Sequence, residues 1–209
     1  MTAALLRPIA RAALRSLGLR PPDYKARVRH GEVCMDNVEL HGLVRAVRLL
    51  EPPPETIVEI GSYCGGSTVV LARAATRRTP TARVFAIDPF HAPGERYQTP
   101  YEAYFDANVA DWKVAHAVRK LRMTSRDASL EWRQPIHLLY IDGDHAYEAV
   151  SLDIQLYAPR VRAGGFLVFH DYKPVGKDGV RQAIDELVRP RHEVVFQAGS
   201  VICFRKSAA

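Results

Sequence analysis

Apolar residues recur along this chain with two alternating periods: short unbroken runs that read as buried strands, and 3.6-residue stripes that read as helices. The first broad stripe spans residues 36–50, where Val38, Leu40, Leu43, Val44, Val47 and Leu50 share one face. Pro52-Pro53-Pro54 stops it and leads into the run Ile57-Val58-Glu59-Ile60. That run breaks at Gly61-Ser62-Tyr63-Cys64-Gly65-Gly66 and restarts at Ser67 as an apolar helix reaching about Arg77. Val84-Phe85-Ala86-Ile87 is a second strand, ending at Asp88-Pro89. Residues 90–99 read as a loop, 101–118 as a helix and Leu121-Arg122-Met123-Thr124 as a short strand. The run Ile136-His137-Leu138-Leu139-Tyr140-Ile141 is a strong buried-strand signal. It ends in Asp142-Gly143-Asp144-His145, and a helix follows over residues 147–157. Gly164-Gly165 turns the chain into the strand Phe166-Leu167-Val168-Phe169, which ends at His170-Asp171. A helix over residues 180–188 and a hairpin of 192–196 with 201–204, closed at Ala198-Gly199-Ser200, complete the pattern. Strands alternating with helices predict one α/β domain.

Composition narrows the function. A chain of 209 residues with 47% hydrophobic and 25% charged residues fits one globular domain with a sizeable core. No apolar run approaches the length of a membrane span, so no stable insertion is expected. Cys34, Cys64 and Cys203 are too scattered for a zinc site or a disulfide framework, which favours a reducing cytoplasm. The net charge of +6 sits in residues 1–30, which hold seven basic residues and one acidic; the remainder is balanced at 22 of each. A nucleic-acid surface spread over the body is therefore not expected. Residues 5–19 predict a basic amphipathic helix, with Leu5, Leu6, Ile9, Ala13 and Leu17 on one side and Arg7, Arg11 and Arg15 on another. It suits packing on the body or on a second subunit, or contact with a membrane or an acidic ligand.

The chemistry-bearing clusters follow the ends of apolar runs. In a parallel sheet those ends gather at one edge. The glycine turn is not a dinucleotide fingerprint, because Tyr63 stands where the second glycine is required. Gly61, Gly65 and Gly66 still permit close backbone approach, and Glu59 just before the turn disfavours a pyrophosphate and favours a cationic or amine-bearing ligand. A purely structural turn is the competing reading. Asp88 lies about 20 residues after the turn, where a carboxylate can bind a ribose diol. An Asp-Pro there is equally consistent with a turn. Asp142 and His145 could present a metal ligand and a base to one substrate atom, or form a capped strand-to-helix turn. If the strands ending at Asp142 and Asp171 are neighbours, two carboxylates converge and call for a cation, and a hard divalent ion is the economical choice. His170 would complete or flank such a site and leaves the metal open.

In combination, Val58-Glu59-Ile60-Gly61-Ser62-Tyr63-Cys64-Gly65-Gly66-Ser67 resembles motif I of class I S-adenosylmethionine-dependent methyltransferases, especially the metal-dependent O-methyltransferases of catechol type. Ile141-Asp142-Gly143-Asp144-His145, Gly164-Gly165 and Phe169-His170-Asp171-Tyr172 resemble the branch that methylates sugar hydroxyls of macrolides and related glycosides. The likeness covers residues 58–187. It implies a Rossmann-like, seven-stranded, mostly parallel sheet with a C-terminal antiparallel hairpin strand and helices on both faces. Residues 1–50 would be an N-terminal helical lid or dimer contact and residues 51–209 the catalytic domain. Glu59, Gly61, Ser62, Tyr63 and Ser67 would surround the methionine part of S-adenosylmethionine, with Asp142 beside them. Asp88 would hold the ribose, and Ser125 and Arg126 would flank the adenine. Asp142, His170 and Asp171 match the metal positions, for magnesium first and manganese as an alternative. His145 matches the general base, a lysine in the catechol enzymes, and His170 stands where a carboxylate is usual. The implied acceptor is a hydroxyl of a small molecule, a sugar or glycoside, and the implied assembly a homodimer. Residues 90–118, with Tyr97, Tyr101, Tyr104, Phe105 and Trp112, would join the N-terminal helices as acceptor walls, with ordinary core as the equal alternative for these aromatics. Competing readings are a phenolic O-methyltransferase, a metal-dependent hydrolase or oxygenase, and a non-catalytic module recruited by its basic helix.

Overall fold

The structure is a computed structural model that describes residues 22–90, 100–172 and 179–207. The basic helix expected over residues 5–19 and the loop over 91–99, including Tyr97, lie outside the described residues.

Seven strands form one sheet: β1 Thr56–Ile60, β2 Arg83–Ile87, β3 Val118–Leu121, β4 Ile136–Ile141, β5 Val161–Phe169, β6 Glu193–Ala198 and β7 Val201–Arg205. Their order across the sheet is β3-β2-β1-β4-β5-β7-β6. The first five run parallel, and β7 inserts antiparallel between β5 and β6. Central strand β1 is buried along its whole length, as a parallel strand covered on both faces must be. Among the described residues, six α-helices supply the cover: α1 Asn37–Leu49, α2 Gly66–Thr76, α3 Tyr101–Asp111, α4 Ser125–Glu131, α5 Tyr147–Tyr157 and α6 Gly179–Leu187. Alternation along the strands splits the core. Ile57, Leu138 and Val168 pack under α1, α2 and α3, while Val58, Leu139 and Leu167 pack under α4, α5 and α6. No helix among the described residues is long and apolar enough to cross a membrane.

Local chemistry sets the boundaries. Asp36 caps α1 through the Glu39 N–H at 2.9 Å, while Glu39 accepts from the Asp36 N–H at 2.9 Å, a reciprocal capping box. At the other end, Arg78 donates to the carbonyls of Val47, Arg48 and Leu50. These close the helix on a face that buries Leu40, Leu43, Val44 and Val47.

Three expectations shift. The helix from Tyr101 ends at Asp111 instead of residue 118, because Lys113 takes a left-handed φ of 55° that no helix continues through. The next strand is therefore Val118–Leu121, three residues earlier than expected, an edge strand whose Arg119 and Lys120 hid it among polar positions. Gly164-Gly165 does not precede β5 but lies within it: the register against β4 shifts there, and Gly164 has φ 72°. Helix α4 was not anticipated; its signal is Thr124, whose hydroxyl accepts from the Asp127 N–H at 3.2 Å.

Asn108 on α3 ties the N-terminal segment to the glycine turn. Its Oδ1 accepts from the Arg29 and His30 N–H groups, each at 3.2 Å, and its Nδ2 donates to the His30 and Cys64 carbonyls, each at 2.8 Å. Asn108→Ala leaves these groups without that partner inside the fold. We expect a loss of roughly 3 kcal/mol in urea unfolding, since each stranded buried group costs about 1–3 kcal/mol; a loss under about 1 kcal/mol would show that the segment holds without this link.

Candidate active site

The sheet register lines up four strand ends. Ile60 pairs with Ile87 and with Ile141, and Ile141 pairs with Phe169. The next residues, Gly61, Asp88, Asp142 and His170, therefore emerge side by side. The Gly61 N–H donates to the Ile87 carbonyl at 3.0 Å, the Asp142 N–H to the Ile60 carbonyl at 2.8 Å, and the His170 N–H to the Ile141 carbonyl at 3.1 Å. Gly61 has φ 83°, and a Cβ there would stand 2.1 Å from the Asp142 carbonyl oxygen, so only glycine fits.

These ends open on a cavity of about 640 Å³ lined by Gly61, Ser62, Tyr63, Ser67, Asp88, Ser125, Asp142, His145, His170 and Asp171 among others. That volume is ample for a nucleoside-sized ligand. At one wall the turn enters α2 through Gly65, which is left-handed at φ 79°, and no side chain caps the helix start. An uncapped helix start favours an anionic group such as a carboxylate. Asp88 secures the turn and also borders the cavity. Its Oδ2 accepts from the Ser62 and Tyr63 N–H groups, each at 2.8 Å, and its Oδ1 from the Phe90 N–H at 2.6 Å, while the side chain still lines the cavity.

Two expected cofactor residues stand elsewhere. Glu59 is fully buried behind the turn and does not line the cavity. Its Oε2 accepts from the Ser62 hydroxyl at 3.2 Å and from the Thr68 hydroxyl. Burial pushes its carboxyl up to about 7 against the hydrogen bonds of Ser67, Thr68 and Ser62. Glu59 thus holds the turn's hydroxyls from beneath. Arg126 is exposed on α4 and is not brought to the cavity. Of the aromatic residues expected as acceptor walls, Phe105 and Trp112 are core, and Tyr101 packs on Tyr63 with ring centres 4.4 Å apart. The cavity wall on that side comes instead from Glu32, Val33, Cys34 and Met35.

The opposite wall carries the charges. His170 is 7% exposed, and its Nδ1 faces Asp142 Oδ1 at 3.0 Å and Asp171 Oδ2 at 3.1 Å. Its Nε2 faces Glu39 Oε2 at 3.4 Å, a charge contact short of a well-aligned hydrogen bond. Burial opposes a charged imidazole, but the bonds to Asp142, Asp171 and Glu39 outweigh it and push its pKa up to about 12. The same contacts hold Glu39 low: burial raises its pKa, yet the close His170 imidazole and the hydrogen bonds from Ser200 and the Asp36 N–H bring it to about 2. Tyr140 donates its hydroxyl to Asp142 Oδ2 at 2.7 Å, leaving Oδ1 for the site. His145, with a side chain 60% exposed, places Nε2 3.0 Å from Asp171 Oδ2. Asp144 turns back to accept from the Ala146 N–H at 2.8 Å, the turn that leads into α5.

Asp142, His170 and Asp171 offer ligand atoms within 4.8 Å of one another. The fit to a divalent ion is good. Three anionic groups converge on one imidazole, each aspartate presents one oxygen inward, and the cluster demands a positive charge. Without an ion, the proton on His170 meets that demand.

Glu39, Tyr140 and Asp153 were not singled out from sequence. Glu39 carried a readable signal, the Asp36-x-x-Glu39 capping pattern, but nothing local pointed to His170. Asp153 lines the cavity floor beside Ser125, whose hydroxyl donates to Asp153 Oδ1 at 2.5 Å.

The fold is that of a class I methyltransferase, with the β3-β2-β1-β4-β5-β7-β6 order and a ligand cavity at the strand ends. A family model described as "Methyltransferase domain" matches residues 58–172, more than half of the chain, and the chain belongs to that family. It is 27% identical over 143 residues to uncharacterized protein R132 of Acanthamoeba polyphaga mimivirus, matching 66% of this chain and 60% of that protein. It is also 27% identical over 187 residues to uncharacterized protein y4gI of Sinorhizobium fredii, matching 87% of this chain and 19% of that protein. The chain thus spans less than two thirds of the length of the curated relatives it matches. Similar solved structures include the O-methyltransferase NovP, with TM-score 0.68 and 18% identity over 84% of this chain and 82% of that one. The O-methyltransferase from Bacillus cereus in complex with SAH has TM-score 0.67 and 15% identity over 95% and 97% of the two chains. CalS11, a TDP-rhamnose 3′-O-methyltransferase of calicheamicin biosynthesis, has TM-score 0.60 and 19% identity over 80% and 77%. At these identities the likeness is one of fold.

Asp153 yields a pH test. Burial outweighs its bond from Ser125 and raises its carboxyl from 3.8 to about 6. The folded state holds the proton more tightly than the unfolded chain, so this contribution is full below about pH 4 and lost as pH rises through about 6. Asp153→Asn should flatten the fall in melting temperature over that window relative to wild type. Identical pH slopes for the two proteins would contradict a buried, raised carboxyl.

Proposed function

We propose that this chain is an S-adenosylmethionine-dependent O-methyltransferase that methylates a hydroxyl of a small molecule, a sugar or glycoside, with help from a divalent metal. The observation that carries the reading is the shared cavity. The glycine turn and Asp88 stand on one wall, and Asp142, His145, His170 and Asp171 on the other, all at adjacent strand ends. Family membership and the SAH-bound Bacillus cereus structure support the cofactor. The naming of CalS11 for TDP-rhamnose supports the acceptor class.

Each residue then has a physical task. Gly61, Ser62, Tyr63 and Ser67, with the open start of α2, receive the amino-acid end of the cofactor; Asp88 receives its ribose; Ser125 and Asp153 border its base. The cofactor supplies an electrophilic methyl group on a sulfonium. A divalent ion held by Asp142, His170 and Asp171 would supply a Lewis acid that lowers the pKa of the acceptor hydroxyl. His145 accepts the proton that this hydroxyl gives up, and its exposure lets it pass the proton to solvent. Asp171, 3.0 Å away, orients the imidazole. Fixed walls on both sides hold the acceptor oxygen in line with the methyl carbon, which supplies much of the rate.

Calorimetry with S-adenosylmethionine is the first test. Wild type should bind it, and Gly61→Ala should not, because the added carbon collides with the Asp142 backbone. Failure of the wild type to bind at millimolar ligand would sink the reading. In a methyl-transfer screen of glycosides against catechols, glycosides should be the better acceptors. With a working acceptor, His145→Gln should lower kcat by about 10²–10⁴-fold while cofactor affinity stays near wild type. An unchanged kcat would remove His145 from the base role.

A further inference from the structure

We infer that Glu39, which stands behind the cavity wall, selects the metal by fixing His170 as a nitrogen ligand, so that the site takes a borderline cation such as manganese, cobalt or zinc ahead of magnesium. The inference rests on the metal-assisted reading above and goes beyond it in naming the metal class and the residue that sets it.

Glu39 is held at both of its oxygens. Its Oε1 accepts from the Ser200 N–H at 3.0 Å and the Ser200 hydroxyl at 2.7 Å, and its Oε2 accepts from the Asp36 N–H at 2.9 Å. Both oxygens are therefore pinned, one by the β6–β7 turn and one by the start of α1. The pinned Oε2 stands 3.4 Å from His170 Nε2. A metal-bound imidazole carries its hydrogen on the nitrogen away from the metal, and the Glu39 carboxylate facing Nε2 supports that hydrogen there while the metal takes the other nitrogen. The other is Nδ1, which faces Asp142 Oδ1 and Asp171 Oδ2 at 3.0 and 3.1 Å. His170 is 7% exposed, so its ring has no solvent-facing alternative.

The donor set follows. Asp142 has Oδ2 committed to the Tyr140 hydroxyl at 2.7 Å and offers one oxygen. Asp171 Oδ2 and His170 Nδ1, 3.1 Å apart, are the atoms of those residues that face each other at the cluster. Two carboxylate oxygens and one imidazole nitrogen suit manganese, iron, cobalt or zinc, whereas magnesium prefers an all-oxygen shell. A histidine at this position, backed by a carboxylate, is the arrangement that raises the basicity of a ligating imidazole.

The test measures metal binding directly. Calorimetric titrations of wild type with Mn²⁺ and Mg²⁺ should give at least about tenfold tighter binding of Mn²⁺, and pulsed EPR of the bound Mn²⁺ should show a histidine nitrogen coupling. His170→Asp should lose that coupling and narrow the Mn²⁺ over Mg²⁺ preference. Glu39→Gln should weaken Mn²⁺ binding roughly ten- to a hundredfold, the usual effect of removing a ligand's supporting carboxylate. Glu39→Asp, which keeps the charge but retracts it, serves the same comparison if Glu39→Gln does not fold. Equal affinities for the two metals in wild type, no metal binding at all, or no nitrogen coupling would overturn the inference. Wild-type affinity in both Glu39 variants would overturn the role of Glu39. S-adenosylmethionine calorimetry on the same samples separates the two layers: retained cofactor binding with a failed metal ranking defeats only this inference, whereas lost cofactor binding in wild type defeats the methyltransferase reading itself.

Discussion

The carbonyl of Asp142 passes so close to Gly61 that a side chain at Gly61 would begin 2.1 Å from it, and the site depends on that approach. Parallel strands spaced by ordinary hydrogen bonds end level with one another, but their outgoing chains diverge unless something keeps them together. Here the Asp142 N–H bonds the carbonyl of Ile60, and the Gly61 N–H bonds the carbonyl of Ile87, so the ladder continues one residue beyond the strands. The left-handed Gly61 then turns the chain away from the sheet, which leaves room for a ligand directly above the strand ends. Tyr63, also left-handed at φ 47°, and Gly65 complete the turn, and Asp88 secures it by accepting two of its N–H groups. Backbone geometry thus shapes one wall of the cavity before any side chain contacts a ligand.

The second wall obeys a different constraint, charge compensation. Asp142, Asp171 and Glu39 surround His170 in a setting where an uncompensated charge is costly. The cluster persists in the fold because it includes its own cation, protonated His170. Removing one anion would leave the others less well balanced, so these residues act as a unit and their effects should not add. Glu59 shows the opposite solution. It is fully buried, has hydroxyl donors but no cationic partner among the described residues, and its carboxyl is pushed up. Glu39, beside the imidazole, is held down to about 2, whereas Glu59, with hydroxyl donors alone, is pushed up to about 7.

The hydrophobic pattern located the strands that matter most. Ile136–Ile141 matches the observed β4 to the residue, and α5 follows the expected Tyr147–Tyr157. These are segments whose burial on both faces writes a continuous apolar signal. The edge strand β3 carried no such signal, since one side of an edge is polar, and its position was misread by three residues. The site shows the same division. Residues at strand ends, from Gly61 to Asp171, were legible because a parallel sheet gathers such ends by topology alone. Glu39 and Asp153 were not, since they reach the site from helices across sequence separations that a local pattern does not encode. Glu59 and Arg126 were placed by resemblance at the cavity, yet one lies beneath the turn and the other faces solvent; proximity in sequence to a binding turn does not fix which way a side chain points.

Glu39 also shows how closely stability and chemistry are joined here. The same carboxylate closes the capping box of α1, receives the backbone and hydroxyl of Ser200, and stands against His170. A capping glutamate on an exposed helix contributes on the order of 1 kcal/mol and tolerates many replacements. This one is constrained in length and charge by three partners from three parts of the chain: α1, the β6–β7 turn and the end of β5. Gly199 meets the same constraint from the other side, because a Cβ there would stand 2.6 Å from Glu39 Cγ. A helix start and a C-terminal hairpin far apart in sequence are thereby locked to the residue that completes the charged wall. The consequence is directional: a change that loosens the α1 start or the hairpin turn would be felt at His170, whereas changes at the solvent-facing His145 would leave the fold as it is.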